Sequence, residues 1–213
     1  KETLEDELKV TLERLNDDVS VDGILLFKPL TRNISENIFN LIDSEKDVDG
    51  QNIKNLFKAI YDEDLHNISA TPLAIFEYLS SITNLECKNI LVINRSNTIG
   101  KVLSNLLIKA DATVTVAHSK STNIEELMAD KDIIISAVGK SGIWTGEKIK
   151  DGSIVFDIGI SQDKNGNPCG DFILQGLENK NIDYLPPLQG IGKITTGIML
   201  RNTCINSWRK NDG

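Results

Sequence analysis

Three short stretches of this chain carry side chains whose types and spacing could do chemistry. The first is Arg95-Ser96-Asn97-Thr98-Ile99-Gly100, which follows the apolar run Ile90-Leu91-Val92-Ile93 and leads into a helical pattern. A helix N-terminus favours anions because its first N–H groups lack partners, Arg meets phosphate through paired hydrogen bonds, and Ser is a small donor. A standard dinucleotide-binding turn places three glycines there; only Gly100 is kept, so the side chains of Arg95 and Ser96 would replace backbone contacts. The second stretch, His118-Ser119-Lys120-Ser121-Thr122, ends the next apolar run. An NAD site usually ends that strand with an acid for the ribose hydroxyls. A cation and several hydroxyls stand here instead, which suits a 2′-phosphate and favours NADP over NAD. His118 capping its strand is the plainer alternative, and a His118–Ser119 catalytic pair is excluded because adjacent strand residues face opposite ways. The third stretch is Lys46-Asp47-Val48-Asp49-Gly50. Asp22 and Asp49 each precede a glycine, and such pairs usually mark turns. A carboxylate held at Asp49 could also accept paired hydrogen bonds from an aminopyrimidine edge, the ring type of folates; spacing alone does not choose between the two.

Composition narrows the classes of function. The chain has 213 residues, 40% hydrophobic and 25% charged, as in an ordinary globular protein. Acids outnumber bases 31 to 23, for a net charge of −8, which argues against a nucleic-acid groove. No apolar run approaches the roughly 20 residues of a membrane span, and no secretory pattern opens the chain. Cys87, Cys169 and Cys204 are too few and too scattered for a disulfide framework, and with only His66 and His118 besides they offer no metal ligand set. A reducing, cytoplasmic compartment is expected.

The elements that must position these residues follow from periodicity. Leu4, Leu8, Leu12 and Leu15 predict an amphipathic helix over 1–16, and Val21 to Phe27 reads as a buried strand stopped by Pro29. Ser35 caps a short helix through Ile42. Ile53, Leu56, Phe57 and Ile60 give a helical apolar face, and Thr71-Pro72 reads as a cap and first turn leading into Leu73 to Ile82. From residue 88 strands and helices alternate, with strands at 90–93, 113–117, 132–137 and 154–159, so the fold class is α/β with a parallel sheet covered on both faces. Ligands of such sheets bind at the carboxyl ends of the strands. Residues 196–211 read as a closing helix with Ile198, Met199, Ile205 and Trp208 on its apolar face.

In this order the pieces resemble the methylenetetrahydrofolate dehydrogenase/cyclohydrolase family (FolD type) over nearly the whole chain. Val21-Asp22-Gly23-Ile24-Leu25 with Pro29-Leu30 is similar to the family's first signature, and Lys46-Asp47-Val48-Asp49-Gly50 with Asn55 to its second. Thr71-Pro72 resembles the end of its Pro-Cys-Thr-Pro element. Arg95-Ser96 with Gly100, His118-Ser119 with Thr122, then Ala137, Gly139 and Gly142, Asp157-Ile158-Gly159-Ile160 and Gly170-Asp171 continue the series. Pro186, Gly190, Gly192 and Thr195 fall on the last signature, with Met199-Leu200 and Asn202 after it.

The resemblance implies two domains flanking a cleft: a folate-binding catalytic domain of 1–83 completed by the helix 196–213, and a Rossmann-like NAD(P)-binding domain of 84–195. It implies NADP-dependent oxidation of 5,10-methylenetetrahydrofolate and hydrolysis of the methenyl product to 10-formyltetrahydrofolate, in a homodimer paired through the cofactor domain. Asp49 would hold the pterin, with Pro29, Leu30 and Gly190 bordering the substrate. Arg95, Ser96, His118 and Ser119 would hold the cofactor's phosphates and ribose, and the backbone at Gly139, Ile160 and Thr195 would border the nicotinamide. The departures bear on hydrolysis. Tyr61, Tyr78 and Tyr184 have no Lys four residues on, so the family's Tyr-x-x-x-Lys is not in this chain. Phe27 stands at the position of its working glutamine, with Lys28 adjacent but expected to face the other way. Asn94 replaces a glycine, and Gln51-Asn52-Ile53 an aromatic-His-Pro stretch. A relative that binds folate or nucleotide without completing the chemistry is therefore the alternative function.

Overall fold

The computed structural model describes residues 5–30, 34–61, 64–178, 180–187 and 190–212, so Leu4, Leu188 and Gln189 lie outside the described residues. The chain divides into two compact units, 1–73 with 194–213, and 74–193.

The second unit is built on a five-stranded parallel sheet in the order β2-β1-β3-β4-β7. Its strands are β1 (Asn89–Ile93), β2 (Thr113–Ala117), β3 (Ile133–Ser136), β4 (Ile154–Asp157) and the edge strand β7 (Asp183–Leu185). The apolar runs are continuous because both faces are covered. Ile90, Val92, Ile133 and Ile135 enter one core with Leu103, Leu107 and Phe156, whereas Leu91, Ile93 and Ile134 enter the opposite core with Met128, Val155 and Phe172. This is the two-sided burial that parallel sheets require. Helix α4 (Gly100–Lys109) joins β1 to β2, and the short α5 (Ile124–Met128) precedes β3. A small hairpin, β5 (Ser161–Gln162) with β6 (Pro168–Cys169), follows β4. The edge strand β7 is not evident in the sequence, since Asp183-Tyr184-Leu185 is too short to show a period.

In the first unit α1 (Glu5–Asp17) packs Leu12 against Ile24, Ile38, Phe39 and Ile42. The buried strand expected over Val21 to Phe27 is not formed among the described residues. Ile24 alone makes a bridge, to Asp47, and Leu25 and Phe27 are exposed. An apolar run can be shaped for a sheet, but a strand also needs a partner ladder. The segment capped by Ser35 is a 3₁₀ turn, Glu36–Leu41, rather than an α-helix.

Helix α2 (Ile53–Tyr61) overturns its periodic reading: Ile53, Phe57 and Ile60 are exposed, while Asn55 and Ala59 are buried. Asn55 points inward because its amide donates to Ser44 O at 2.9 Å and to Asp47 Oδ2 at 3.0 Å. Helix α3 (Ala70–Ile82) begins before Thr71, with Ser69 preceding it. The closing helix α6 (Ile191–Asp212) starts earlier than expected, and Ile198, Asn202 and Asn206 form its buried face, with Trp208 65% exposed. The asparagines are inside because each satisfies a backbone carbonyl: Asn202 donates to Val48 O at 2.9 Å and Asn206 to Asp22 O at 3.1 Å. Buried amides are tolerated where such bonds are made.

Candidate functional site

The run around Asp49 is tied down at every neighbour. The ammonium of Lys46 caps the end of α1 through the carbonyls of Leu15, Asn16 and Asp18, at 3.1, 2.5 and 2.9 Å. Asp47, 1% exposed, accepts the N–H of Asn52 at 2.7 Å and the amide of Asn55 at 3.0 Å. It is a structural acid; Asp47 and Val48 are buried, whereas Asp49 is half-buried. Burial, then the nearby Asp47, pushes the Asp49 carboxyl up to about 6, with Lys28 opposing the shift. Asp22 is instead bound by Lys210 at 2.7 Å, so of Asp22 and Asp49 only Asp49 is left without an ion-pair partner among the described residues.

Around the first signature, Phe27 is 75% exposed, next to a cis Lys28–Pro29 peptide. Lys28 reaches Glu36 at 3.8 Å and lies 4.7 Å above the Phe39 ring. Pro29 is exposed, and Leu30 packs on the core of α1 and the 3₁₀ turn. These residues and Asp49 belong to the first unit, as does Thr195; Gly190, with φ +128, belongs to the second.

In the second unit a cavity of about 760 Å³ opens at the carboxyl ends of β1, β2 and β3. Arg95, Ser96, His118 and Ser119 all line it, so four of the expected cofactor residues come together. Gly139, with φ +71, lies between the lining residues Val138 and Lys140, and a Cβ there would stand 3.6 Å from the carbonyl of Ile160. The expectation of free N–H groups at the start of α4 needs correction. Asn94 Oδ1 accepts from Ser96 N at 2.8 Å and Gly100 N at 3.1 Å, and Ser96 Oγ accepts from Ile99 N at 3.1 Å. The turn is thus capped from within. What it leaves for an anion is the Arg95 guanidinium, which is exposed, and the Ser96 hydroxyl proton, since Ser96 acts as acceptor toward the turn. His118 does cap its own turn: Nδ1 accepts Lys120 N at 3.1 Å, which leaves Nε2 as the donor of the neutral ring.

Residues that sequence reasoning missed complete the wall: Glu125, Glu126, Trp144, Lys140 and Lys148. Both acids are engaged. Glu126 pairs with Lys148, and Glu125 accepts the N–H and hydroxyl of Thr145 at 2.8 and 3.0 Å. Arg95 and Lys140 keep their charges unpaired among the described residues, so the cavity presents cations and hydroxyls to whatever enters. The polarity and size suit an anionic, partly apolar ligand. Nothing in the spacing of residues 125–148 marks them, because their convergence is set by β3 and the loops that flank it.

A parallel sheet with a phosphate-compatible cavity at its carboxyl edge, at the first βα turn, defines a dinucleotide-binding type of α/β protein. Family models match along the chain: the tetrahydrofolate dehydrogenase/cyclohydrolase catalytic domain over residues 1–49 and the NAD(P)-binding domain of the same family over residues 69–211. The bifunctional protein FolD of Staphylococcus haemolyticus is 38% identical over 207 residues, covering 96% of this chain and 72% of that protein. FolD of Clostridium kluyveri is 36% identical over 202 residues. The crystal structure of FolD methylenetetrahydrofolate dehydrogenase/cyclohydrolase from Campylobacter jejuni matches with a TM-score of 0.89 at 30% identity, covering 98% of this chain and 74% of that one. The Trypanosoma brucei enzyme, solved with NADP cofactor and an inhibitor, matches with a TM-score of 0.89 at 28% identity, over 99% of this chain and 75% of that one. The chain belongs to the tetrahydrofolate dehydrogenase/cyclohydrolase family.

Proposed function

We propose that the chain works in one-carbon folate metabolism, oxidising 5,10-methylenetetrahydrofolate with NADP, with the methenyl product as the substrate of hydrolysis to 10-formyltetrahydrofolate. The observation that carries the reading is the cavity where Arg95, Ser96, His118 and Ser119 converge, with its two lining acids engaged by Lys148 and by Thr145. Bound NADP would supply the hydride acceptor. Arg95 would hold a phosphate through its guanidinium, Ser96 would donate its hydroxyl, and His118 and Ser119 would face the ribose that carries the 2′-phosphate. Gly139 and Ile160 would border the nicotinamide, and Thr195 is proposed as a third backbone neighbour. On the folate side Asp49 would accept the aminopyrimidine edge, with Pro29, Leu30 and Gly190 as apolar and backbone borders. Holding two rings in register is most of what hydride transfer asks of a protein. Hydrolysis also needs proton movement, and residues 1–213 hold no Tyr-x-x-x-Lys while Phe27 offers no polar group. Phe27 is the observation behind the second reading, a relative that only binds.

Calorimetric titration with NADP and NAD separates these readings, together with nicotinamide absorbance during turnover of methylenetetrahydrofolate. Tighter NADP binding is expected, and Arg95→Ala should weaken NADP more than NAD by roughly 1.5–3 kcal/mol, less in high salt. Equal or tighter NAD binding overturns the cofactor assignment. A homodimer through the cofactor domain and a cytoplasmic setting belong to the same proposal; a 23.5 kDa species by light scattering at micromolar concentration would count against the dimer.

A further inference from the structure

Four residues of the cavity wall, Val138, Lys140, Ile143 and Trp144, are tied to one residue that does not line the cavity. Asp171 is fully buried. Its Oδ2 accepts the Ser136 hydroxyl at 2.6 Å and the N–H of Val138 at 2.8 Å, and its Oδ1 accepts the N–H of Lys140 at 2.9 Å. Its backbone carbonyl accepts the N–H groups of Ile143 and Trp144, at 2.8 and 3.0 Å. The indole N–H of Trp144 donates to Ser136 Oγ at 3.0 Å, so the ring orientation also leads back to the Asp171 carboxylate.

Asp171 is in turn placed by a second buried acid at the end of β4. Asp157 Oδ1 accepts the N–H of Gly159 and of Asp171, each at 3.1 Å. Its Oδ2 accepts the N–H of Phe172 and the Tyr184 hydroxyl, each at 3.1 Å. Each carboxylate is packed against a glycine of the other's neighbourhood: a Cβ on Gly159 would fall 2.0 Å from Asp171 Oδ1, and one on Gly170 2.1 Å from Asp157 Oδ2. Glycine at both places leaves the space the oxygens occupy.

We propose that Asp171 is a positioning residue of the nucleotide cavity: without reaching the ligand, it sets the backbone course of Val138–Lys140 and the orientation of Trp144. The inference rests on the cofactor reading above. A carboxylate can serve three donors at once. The amide of asparagine has one acceptor oxygen and would turn its own N–H groups toward backbone donors, leaving a buried N–H unpaired and forcing the loop to move.

The test is calorimetric titration of the chain with NADP, with Arg95→Ala as reference and Trp144 emission read in a Trp208→Phe background. Asp171→Asn should raise the NADP Kd roughly tenfold to a hundredfold and shift Trp144 emission while cooperative unfolding is retained. Gly159→Ala keeps every donor and acceptor yet displaces the carboxylate, and should act in the same direction. Where Asp171→Asn does not fold, Ser136→Ala decides: it cuts the link from Trp144 and should weaken NADP severalfold with an emission change. A folded variant that binds NADP like wild type, while Arg95→Ala does not, overturns the positioning role alone. Wild type and Arg95→Ala binding NADP equally would remove the cofactor reading, and the positioning role with it.

Discussion

The Asn94 side chain and Gly100 form one joint: Asn94 Oδ1 accepts the Gly100 N–H at 3.1 Å, and a Cβ on Gly100 would lie 2.1 Å from the Asn94 carbonyl oxygen. Asn94 also donates to Ala137 O at 2.6 Å, so the same amide joins the end of β1 to the loop after β3. Gly100→Ala must push strand end and helix start apart. Thermal unfolding should show a loss of roughly 1–3 kcal/mol, and NADP affinity should fall with it. Asn94→Ala leaves the backbone gap but removes the cap and the link to Ala137 O, and should cost roughly 1–3 kcal/mol. Equal midpoints for Gly100→Ala and wild type would show that the backbone gap is not needed.

Asp49, with its carboxyl pushed up to about 6, gives binding a pH dependence. An aminopyrimidine edge needs the carboxylate as acceptor, so tetrahydrofolate affinity should fall as pH drops through about 6. Stability runs the other way. A carboxyl whose folded pKa lies above its unfolded value contributes fully below the unfolded value and loses that contribution as pH rises, here between the ordinary 3.8 and about 6. Asp49→Asn should therefore remove this one contribution to the pH dependence of stability across the window and abolish the pH dependence of folate binding. Urea unfolding and calorimetry at matched pH values check both; a pH-independent wild-type affinity for tetrahydrofolate refutes the role of Asp49 as acceptor.

His66 carries the opposite sign. Its Nε2 lies 2.6 Å from Asn206 Oδ1, which also accepts from Asn67, so His66 must donate and its buried Nδ1 has no partner. Burial holds the imidazole below its usual value of 6.5. The unfolded chain therefore takes up a proton first, and stability should be lost as pH falls below about 6.5 toward the lowered folded value. His66→Gln keeps a donor without the titration, and its unfolding free energy should be less pH-dependent over that window. An unchanged slope would mean that other groups govern acid stability there.

Phe27 is exposed, so Phe27→Gln should change stability by no more than about 0.5 kcal/mol. Its effect should appear in chemistry: hydrolysis of methenyltetrahydrofolate should rise, while NADP reduction changes little. If wild type hydrolyses the methenyl compound as fast as it forms, Phe27 is not the obstacle. Lys28, held between Glu36 and the Phe39 ring, is then the polar group to replace next.

Continuous apolar runs were enough to place β1, β3 and β4, because a strand buried on both faces must be apolar at every position, and β-branched residues placed β2 at the sheet's edge. The order of Arg95-Ser96, His118-Ser119 and the glycines between 139 and 192 likewise pointed to the family and to one wall of the cavity, since residues following strand ends of a parallel sheet share an edge. Three things needed the tertiary structure. Ile53, Phe57 and Ile60 have helical spacing yet lie outside, because Asn55 finds the Asp47 carboxylate and Ser44 carbonyl inside. Asn202 and Asn206 fill the buried face of α6 for the same reason, and no hydrophobic period can signal a buried amide whose partners sit over a hundred residues away. In the sequence Asp157 reads as part of the strand 154–159 and Asp171 only as a member of the family's series; the close approach of Gly159 and Gly170 and the backbone donors around them show two buried acids supporting the cavity. Local pattern determines which segments can form the sheet, whereas the pairing of buried polar groups is decided by geometry assembled from distant parts of the chain.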